Sequence, residues 1–61
     1  MNKIRVLIVD DHPMLRNGLV SLVNEQEDMT VVGEATNGSQ AIDRVEECHP
    51  DLVLMDINME G

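Results

Sequence analysis

The stretch KIRVLIVDDHP at residues 3–13 decides the fold of this 61-residue chain. Its first part, residues 3–9, is an almost continuous run of aliphatic side chains. Such a run, without alternation, is typical of a strand buried on both faces, as in a parallel sheet. The run ends at two adjacent acids, Asp10 and Asp11, and Pro13 then suits the first turn of a helix. The stretch therefore predicts a central parallel strand, an acidic turn and a helix start in direct succession.

Two further segments repeat this alternation of strand and helix. The first helix is predicted over residues 13–24, because apolar residues recur there at helical spacing, at Leu15, Leu19, Leu22 and Val23. A second strand is predicted over residues 30–35. Gly33 and Glu34 weaken it, which favours an edge position in the sheet.

The second helix is expected to begin after an N-cap at Asn37 or Ser39, and His49-Pro50-Asp51 ends it. Its predicted inner face consists of Ala41, Ile42, Val45 and Cys48. Residues 52–55 form a third apolar strand that ends at Asp56.

The order β-α-β-α-β with short connections predicts an α/β fold with a parallel sheet and a helix on each face. A complete doubly wound domain needs about 100–150 residues. Residues 1–61 are therefore expected to form one unit, about half of such a domain, with no second domain.

Charge and composition argue against several classes of function. Twelve acids and four bases give a net charge of −8, and there is no aromatic residue. We expect no nucleic-acid binding by this chain, because phosphate contacts need Lys and Arg, and no stacking platform for bases or a flavin ring. The single cysteine, Cys48, is expected to be a small buried residue. The apolar run near the N-terminus is too short for a signal peptide or a membrane span, which suggests a cytoplasmic protein without membrane association.

Carboxylates follow two of the predicted strands: Asp10 and Asp11 follow the first, and Asp56 follows the third. Ligands of parallel sheets bind beyond the carboxyl ends of the strands. If the first strand lies between the other two, the three carboxylates converge, and their repulsion favours a bound cation. Oxygen ligands suit Mg²⁺, and an aspartate can accept a phosphoryl group. Each acid alone could be an ordinary turn residue, but their joint position favours a site. His12 is interpreted as a loop residue near the helix start.

Three segments resemble the receiver domain of two-component response regulators, particularly the NarL/FixJ (LuxR-type) group. They are VDDHPMLR at residues 9–16, VVGEATNG at residues 31–38 and PDLVLMDINM at residues 50–59. The resemblance extends over the whole chain and implies the N-terminal half of a flavodoxin-like receiver, with strand order 2-1-3. It implies that Asp56 accepts a phosphoryl group from a sensor histidine kinase. In the intact protein, which usually carries a C-terminal DNA-binding domain, this reaction would control transcription.

The resemblance also implies how Mg²⁺ is held. Asp11 and Asp56 would bind it, the backbone carbonyl of Asn58 would be a further ligand, and Asp10 would act mainly through ordered water. Receivers usually have proline where this chain has Glu60, so the conformation of that loop is left open. Receivers also use a Ser or Thr after the fourth strand and a Lys after the fifth, and neither strand lies within residues 1–61.

The favoured hypothesis is a signalling module that is switched by phosphorylation, and such a module is not expected to be an enzyme. Three other hypotheses are considered. A phosphotransferase or phosphatase resembling haloacid dehalogenases usually has a second Asp two residues after the nucleophile, whereas this chain has Asn58. A nucleotide- or flavin-binding fragment is disfavoured because no strand-to-helix turn is a Gly-rich phosphate loop. An inactive folding fragment that self-associates stays open.

Self-association is expected from the third strand, which is internal in a complete receiver. Residues 52–55 are apolar and uncharged, and such an edge is a template for pairing with another chain. We expect a homo-oligomer, most simply a dimer, formed by edge pairing or by exchange of a segment.

Overall fold

Strands and helices alternate along the part of the chain that the computed structural model describes, residues 3–55. The elements are β1 (Ile4–Val9), α1 (Pro13–Asn24), β2 (Met29–Ala35), α2 (Gly38–Cys48) and β3 (Leu52–Met55). The predicted order is confirmed, and the bounds predicted for the strands and for α1 differ from these by no more than one residue. Neither described helix is long and apolar enough to cross a membrane.

The sheet is parallel and has the order β2-β1-β3, as predicted. Residues of β1 alternate between its two faces. Val6 and Ile8 pack with Val23 of α1, whereas Leu7 and Val9 form a second cluster with Ala41 of α2 and with Ala35. The residues from Val6 to Val9 are at most 1% exposed, which confirms that the central strand is buried on both faces.

The ends of α2 are fixed by local hydrogen bonds. Asn37, rather than Ser39, is the N-cap, and its Oδ1 accepts a hydrogen bond from the Gln40 N–H at 2.8 Å. His49 ends the helix in the left-handed conformation, with φ 49°, and its N–H donates to the Val45 carbonyl at 3.0 Å. Pro50 follows, as is common after a helix C-terminus.

The predicted apolar helix faces contact the sheet, but they are only partly buried. Ile42 and Val45 of α2 are 65% and 41% exposed, and Leu15 and Leu22 of α1 are 50% and 59% exposed. Helical spacing identifies an apolar face, but how much of it is buried depends on what packs against it. No described strand lies beyond β3.

Two shallow apolar grooves result, one on each face of the sheet beside β3. The α2 groove is lined by apolar residues of α2 and β3, mainly Ala41, Ile42, Val45, Val53 and Met55. The α1 groove is lined by Asp10, Leu15, Leu19, Leu54 and Met55.

β2 contains an irregularity that the sequence did not reveal. Val6 pairs with Val31, but the next residue, Leu7, pairs with Gly33, so Val32 is an extra residue in the strand. The carbonyl of Val32 lies 3.3 Å from the thiol of Cys48, which can donate a hydrogen bond to it. Such a bulge shifts every following residue of β2 by one position, and hence to the other face of the sheet.

Close packing of neighbouring side chains explains why glycine occupies position 33. A Cβ atom there would lie 3.1 Å from Cys48 Sγ and 3.1 Å from Leu7 Cδ1. We therefore expect Gly33→Ala to lower the free energy of unfolding by about 1–3 kcal/mol through overpacking, measured by urea denaturation.

Gly18→Ala is the matched control. Gly18 lies within α1 and has no atom within 4 Å of the added Cβ, so this change should stabilise the chain by about 0.5–1 kcal/mol. Equal effects of the two substitutions would contradict the packing at Gly33.

Candidate functional site

The candidate site lies at the carboxyl edge of the sheet, where β1 and β3 end level with each other. Val9, the last residue of β1, pairs with Met55, the last residue of β3. The segments that follow the two strands therefore start from adjacent points on one edge, which is where parallel sheets bind ligands. Asp10 and Asp11 begin the first of these segments. Asp56 and Asn58, predicted to belong to the same site, lie outside the described residues.

Asp10 is buried and fixed by hydrogen bonds, although a carboxylate side chain usually lies in solvent. Its side chain is completely buried, and its backbone N–H donates to the Ala35 carbonyl at 3.0 Å. Oδ1 accepts a hydrogen bond from the His12 N–H at 2.7 Å, which closes a turn of the kind that Asp side chains favour. Oδ2 is buried and has no hydrogen-bond partner among the described residues. A buried carboxylate oxygen without a partner is costly, so Asp10 calls for a cation or an ordered water.

Asp11 and His12 complete the turn. The side chain of Asp11 is 35% exposed, so it can reach a ligand in solvent. His12 is the N-cap residue of α1, and its Nδ1 lies 2.9 Å from Asp11 Oδ1 and 3.3 Å from Asp10 Oδ1. Ligand atoms from Asp10, Asp11 and His12 all lie within 4.8 Å of one another. From the sequence, His12 was interpreted only as a loop residue, whereas in the structure its ring lies against the carboxylates of Asp10 and Asp11.

This donor set fits a hard divalent cation. Two carboxylates supply oxygen ligands of the type that Mg²⁺ prefers, and one of them has a buried oxygen that no described residue contacts through a hydrogen bond. The imidazole of His12 is a poorer ligand for Mg²⁺ than for transition metals. The contacts of His12 with Asp10 and Asp11 suit a residue that orients their two carboxylates and does not itself bind the cation.

One basic side chain reaches the acidic turn from α1. Arg16 donates from Nη1 to the backbone carbonyl of Asp10 at 2.9 Å and from Nε to Oε1 of Glu34 at 3.2 Å. Sequence reasoning did not single out Arg16 or Glu34. The only signal available was an Arg one helical turn after His12, and nothing in the sequence pairs it with an acid 18 residues away.

Comparison with known proteins gives a consistent result. A profile of the response regulator receiver domain matches residues 6–61. The nitrate/nitrite response regulator protein NarL of Escherichia coli K12 is 54% identical over 56 residues, which are 92% of this chain and 26% of that protein. The transcriptional regulatory protein LiaR of Bacillus subtilis is 48% identical over 58 residues, which are 95% of this chain and 28% of LiaR. The chain thus spans about a quarter of the length of these relatives.

Solved structures show the same similarity. The signal receiver domain of a NarL response regulator from Mycobacterium tuberculosis superposes with a TM-score of 0.92 at 38% identity, covering 100% of this chain and 49% of that one. A two-component response regulator of the LuxR family from Aurantimonas gives a TM-score of 0.90 at 35% identity, covering 98% and 43% of the two chains.

Proposed function

The chain belongs to the response regulator receiver domain family, and from this premise we propose that it is the N-terminal half of a phosphoacceptor module. Asp56 is the proposed acceptor, and the donor is a sensor histidine kinase. The observation that carries the proposal is Oδ2 of Asp10, which is buried and has no hydrogen-bond partner among residues 3–55, at the edge where β1 and β3 end together. An orphaned carboxylate there is explained by a cation site, and a cation site beside an aspartate is what phosphoryl acceptance requires.

In the proposed reaction a carboxylate oxygen of Asp56 attacks phosphorus, and the bond from phosphorus to the donor atom breaks. Asp11 and Asp56, with the carbonyl of Asn58, are proposed to hold Mg²⁺, and Asp10 to act mainly through an ordered water. When bound, the cation balances negative charge on the phosphoryl oxygens. The chain's own contribution is to keep Asp10 buried and Asp11 accessible. Intact-mass measurement after treatment with acetyl phosphate tests the role of Asp56 in a chain that includes the second half of a receiver, with Asp56→Asn for comparison.

The role of the whole protein is part of the same proposal. The curated relatives are named as response regulators and a transcriptional regulatory protein. We propose that phosphorylation of Asp56 controls transcription in a longer protein with a DNA-binding domain, and that residues 1–61 form one unit of its receiver without binding nucleic acid themselves. The reaction is proposed to take place in the cytoplasm.

Residues 1–61 on their own are proposed to form a homo-oligomer. β3 pairs with β1 along one edge, and its other edge has no partner among the described strands. Leu52, Val53 and Met55 are 39%, 39% and 49% exposed, and an apolar groove lies on each side of this strand. A second copy of the chain is the proposed occupant, because it offers the same apolar and uncharged β3 edge, which two-fold symmetry can pair with itself.

Mg²⁺ is expected to raise the melting temperature of the chain, because it binds the folded acidic site and not the unfolded chain. At 100 times the dissociation constant the stabilisation is about 2.7 kcal/mol. Asp11→Asn should remove most of this shift. Asp43→Asn, which neutralises an exposed carboxylate on α2, should keep it. An equal shift in all three proteins would show that Mg²⁺ acts through general charge screening.

A further inference from the structure

Arg16 is more deeply buried than an arginine on a protein surface usually is. Its side chain is only 18% exposed, although it carries a full charge. Its guanidinium uses two edges: Nη1 binds the carbonyl of Asp10, and Nε binds Glu34, whose side chain is 45% exposed. A charged group is withdrawn from water at a cost that its partners must offset. The partner on the β1 side is the backbone of the acidic turn.

The hydrogen bond to the Asp10 carbonyl has a consequence for Asp11. The C=O of Asp10 and the N–H of Asp11 belong to one planar peptide unit. The N–H of Asp10 is held by the Ala35 carbonyl at 3.0 Å, and its C=O is held by Arg16 at 2.9 Å. Both peptide units that flank Asp10 are therefore anchored, and the second of them sets the direction in which Asp11 leaves the strand.

The bulge in β2 independently supports this arrangement. After the extra residue Val32, Ile8 pairs with Glu34, and Ile8 packs on the α1 face of the sheet. Without the bulge, Glu34 would fall on the opposite face, out of reach of α1. Bulges next to functional sites often re-aim a side chain, and here the re-aimed side chain is the one that receives Arg16 Nε.

We propose that Arg16 is a positioning residue for the divalent cation site: it fixes the peptide that carries Asp11, and Glu34 fixes Arg16. The inference rests on the proposed function, since it concerns the cation site at Asp11. This role requires no contact between Arg16 and the cation or the phosphoryl group. It acts by limiting the orientations of Asp11, so that less ordering is needed when the cation binds.

Conservative substitution separates positioning from charge. Arg16→Lys keeps the positive charge. A lysine lacks the planar guanidinium, however, so it cannot reproduce the two hydrogen bonds that Arg16 donates to the Asp10 carbonyl and to Glu34. If Arg16 positions Asp11, Arg16→Lys and Arg16→Gln should both raise the dissociation constant for Mg²⁺ by about 10-fold, which is within the range for groups that orient metal ligands. A purely electrostatic role predicts an unchanged constant for Lys and tighter binding for Gln, because a nearby positive charge repels the cation.

The experiment is a titration of the 61-residue chain with MgCl₂, followed by the backbone amide resonances of Asp11 and His12. Val23→Ala is the control for lost stability: Val23 is a buried residue of α1 that packs on Val6 and Ile8, so it weakens the fold without touching the turn. Before Mg²⁺ is added, Arg16→Lys should shift the Asp11 amide resonance, and Val23→Ala should leave it in place.

Weaker Mg²⁺ binding by Arg16→Lys, with wild-type affinity in Val23→Ala, is the expected result. If Arg16→Lys binds Mg²⁺ as the wild type does while Asp11→Asn does not, the positioning role is overturned and the proposed function stands. If the wild type and Asp11→Asn respond alike, the cation site is absent, and both proposals are overturned.

Discussion

A polypeptide of residues 1–61 is expected to accept phosphoryl groups from acetyl phosphate at least about 100-fold more slowly than a longer chain in which the rest of a receiver follows it. The charge that develops on the transferring phosphoryl group must be balanced by fixed positive groups and hydrogen-bond donors. Removing one such group typically costs about 100- to 1,000-fold in rate. The only lysine of the chain, Lys3, precedes β1 at the opposite edge of the sheet, so it cannot replace the lysine that the family resemblance implies.

The comparison needs a chimera, and the E. coli NarL relative, 54% identical over the matched region, supplies one. Residues 1–61 are fused to the segment that follows the matched region in that relative, and both chains are treated with acetyl phosphate and Mg²⁺. Intact mass then reports one added phosphoryl group. Asp56→Asn in the chimera should abolish the labelling, whereas Asp43→Asn should leave it unchanged.

Two outcomes would contradict these expectations. Rapid labelling of the 61-residue chain at Asp56 would show that the second half is dispensable for phosphoryl transfer. A chimera that folds, binds Mg²⁺ and is still labelled after Asp56→Asn would show that the acceptor has been assigned to the wrong residue.

The second large effect is expected in the assembly state of the 61-residue chain. Sedimentation at several concentrations should show a homo-oligomer, most simply a dimer, because β3 and the grooves beside it expose apolar surface. Ile42→Lys should weaken the association by about 100-fold or more, since burying an unpaired charge costs several kcal/mol. Ile42 is 65% exposed in the single chain, so this change removes little of the core.

That exposure makes Ile42 a cleaner probe than Val53. A lysine at Val53 would also disturb packing within the chain, because Val53 is only 39% exposed and pairs with Leu7 of the central strand. Ser21→Lys is the matched control, since it adds the same side chain at an exposed position of α1 and should leave the assembly intact. A folded monomer that persists at high micromolar concentration would refute self-association through β3.

The elements of this fold follow from local sequence. The unbroken aliphatic run before Asp10 predicts a strand buried on both faces, and Val6 to Val9 are indeed buried. Pro13 at the start of α1 and Asn37 at the start of α2 act through their own backbone geometry and hydrogen bonds. These are interactions within a few residues, which is why a single sequence is enough to predict them.

The sequence also predicts part of the candidate site, because parallel strands bring their carboxyl ends to one edge. Asp10 and Asp11 were predicted as site residues because they follow β1 while a further carboxylate, Asp56, follows β3. Asp56 was predicted from its place after β3, whereas the role of the Asn58 carbonyl was implied only by the family resemblance. Both assignments stay predictions, since both residues lie outside the described part of the chain.

Tertiary structure decided the features that depend on partners distant in sequence. The pairing of Arg16 with Glu34 needs the bulge at Val32, and a bulge is a difference of register between two strands that neither strand reveals by itself. The burial of Ile42 and Leu15 depends on what lies beyond β3, so helical periodicity could show their common face but not its exposure. The state of Asp10 Oδ2 also depends on tertiary structure. Packing of the chain removes this oxygen from water, and no described residue gives it a hydrogen bond.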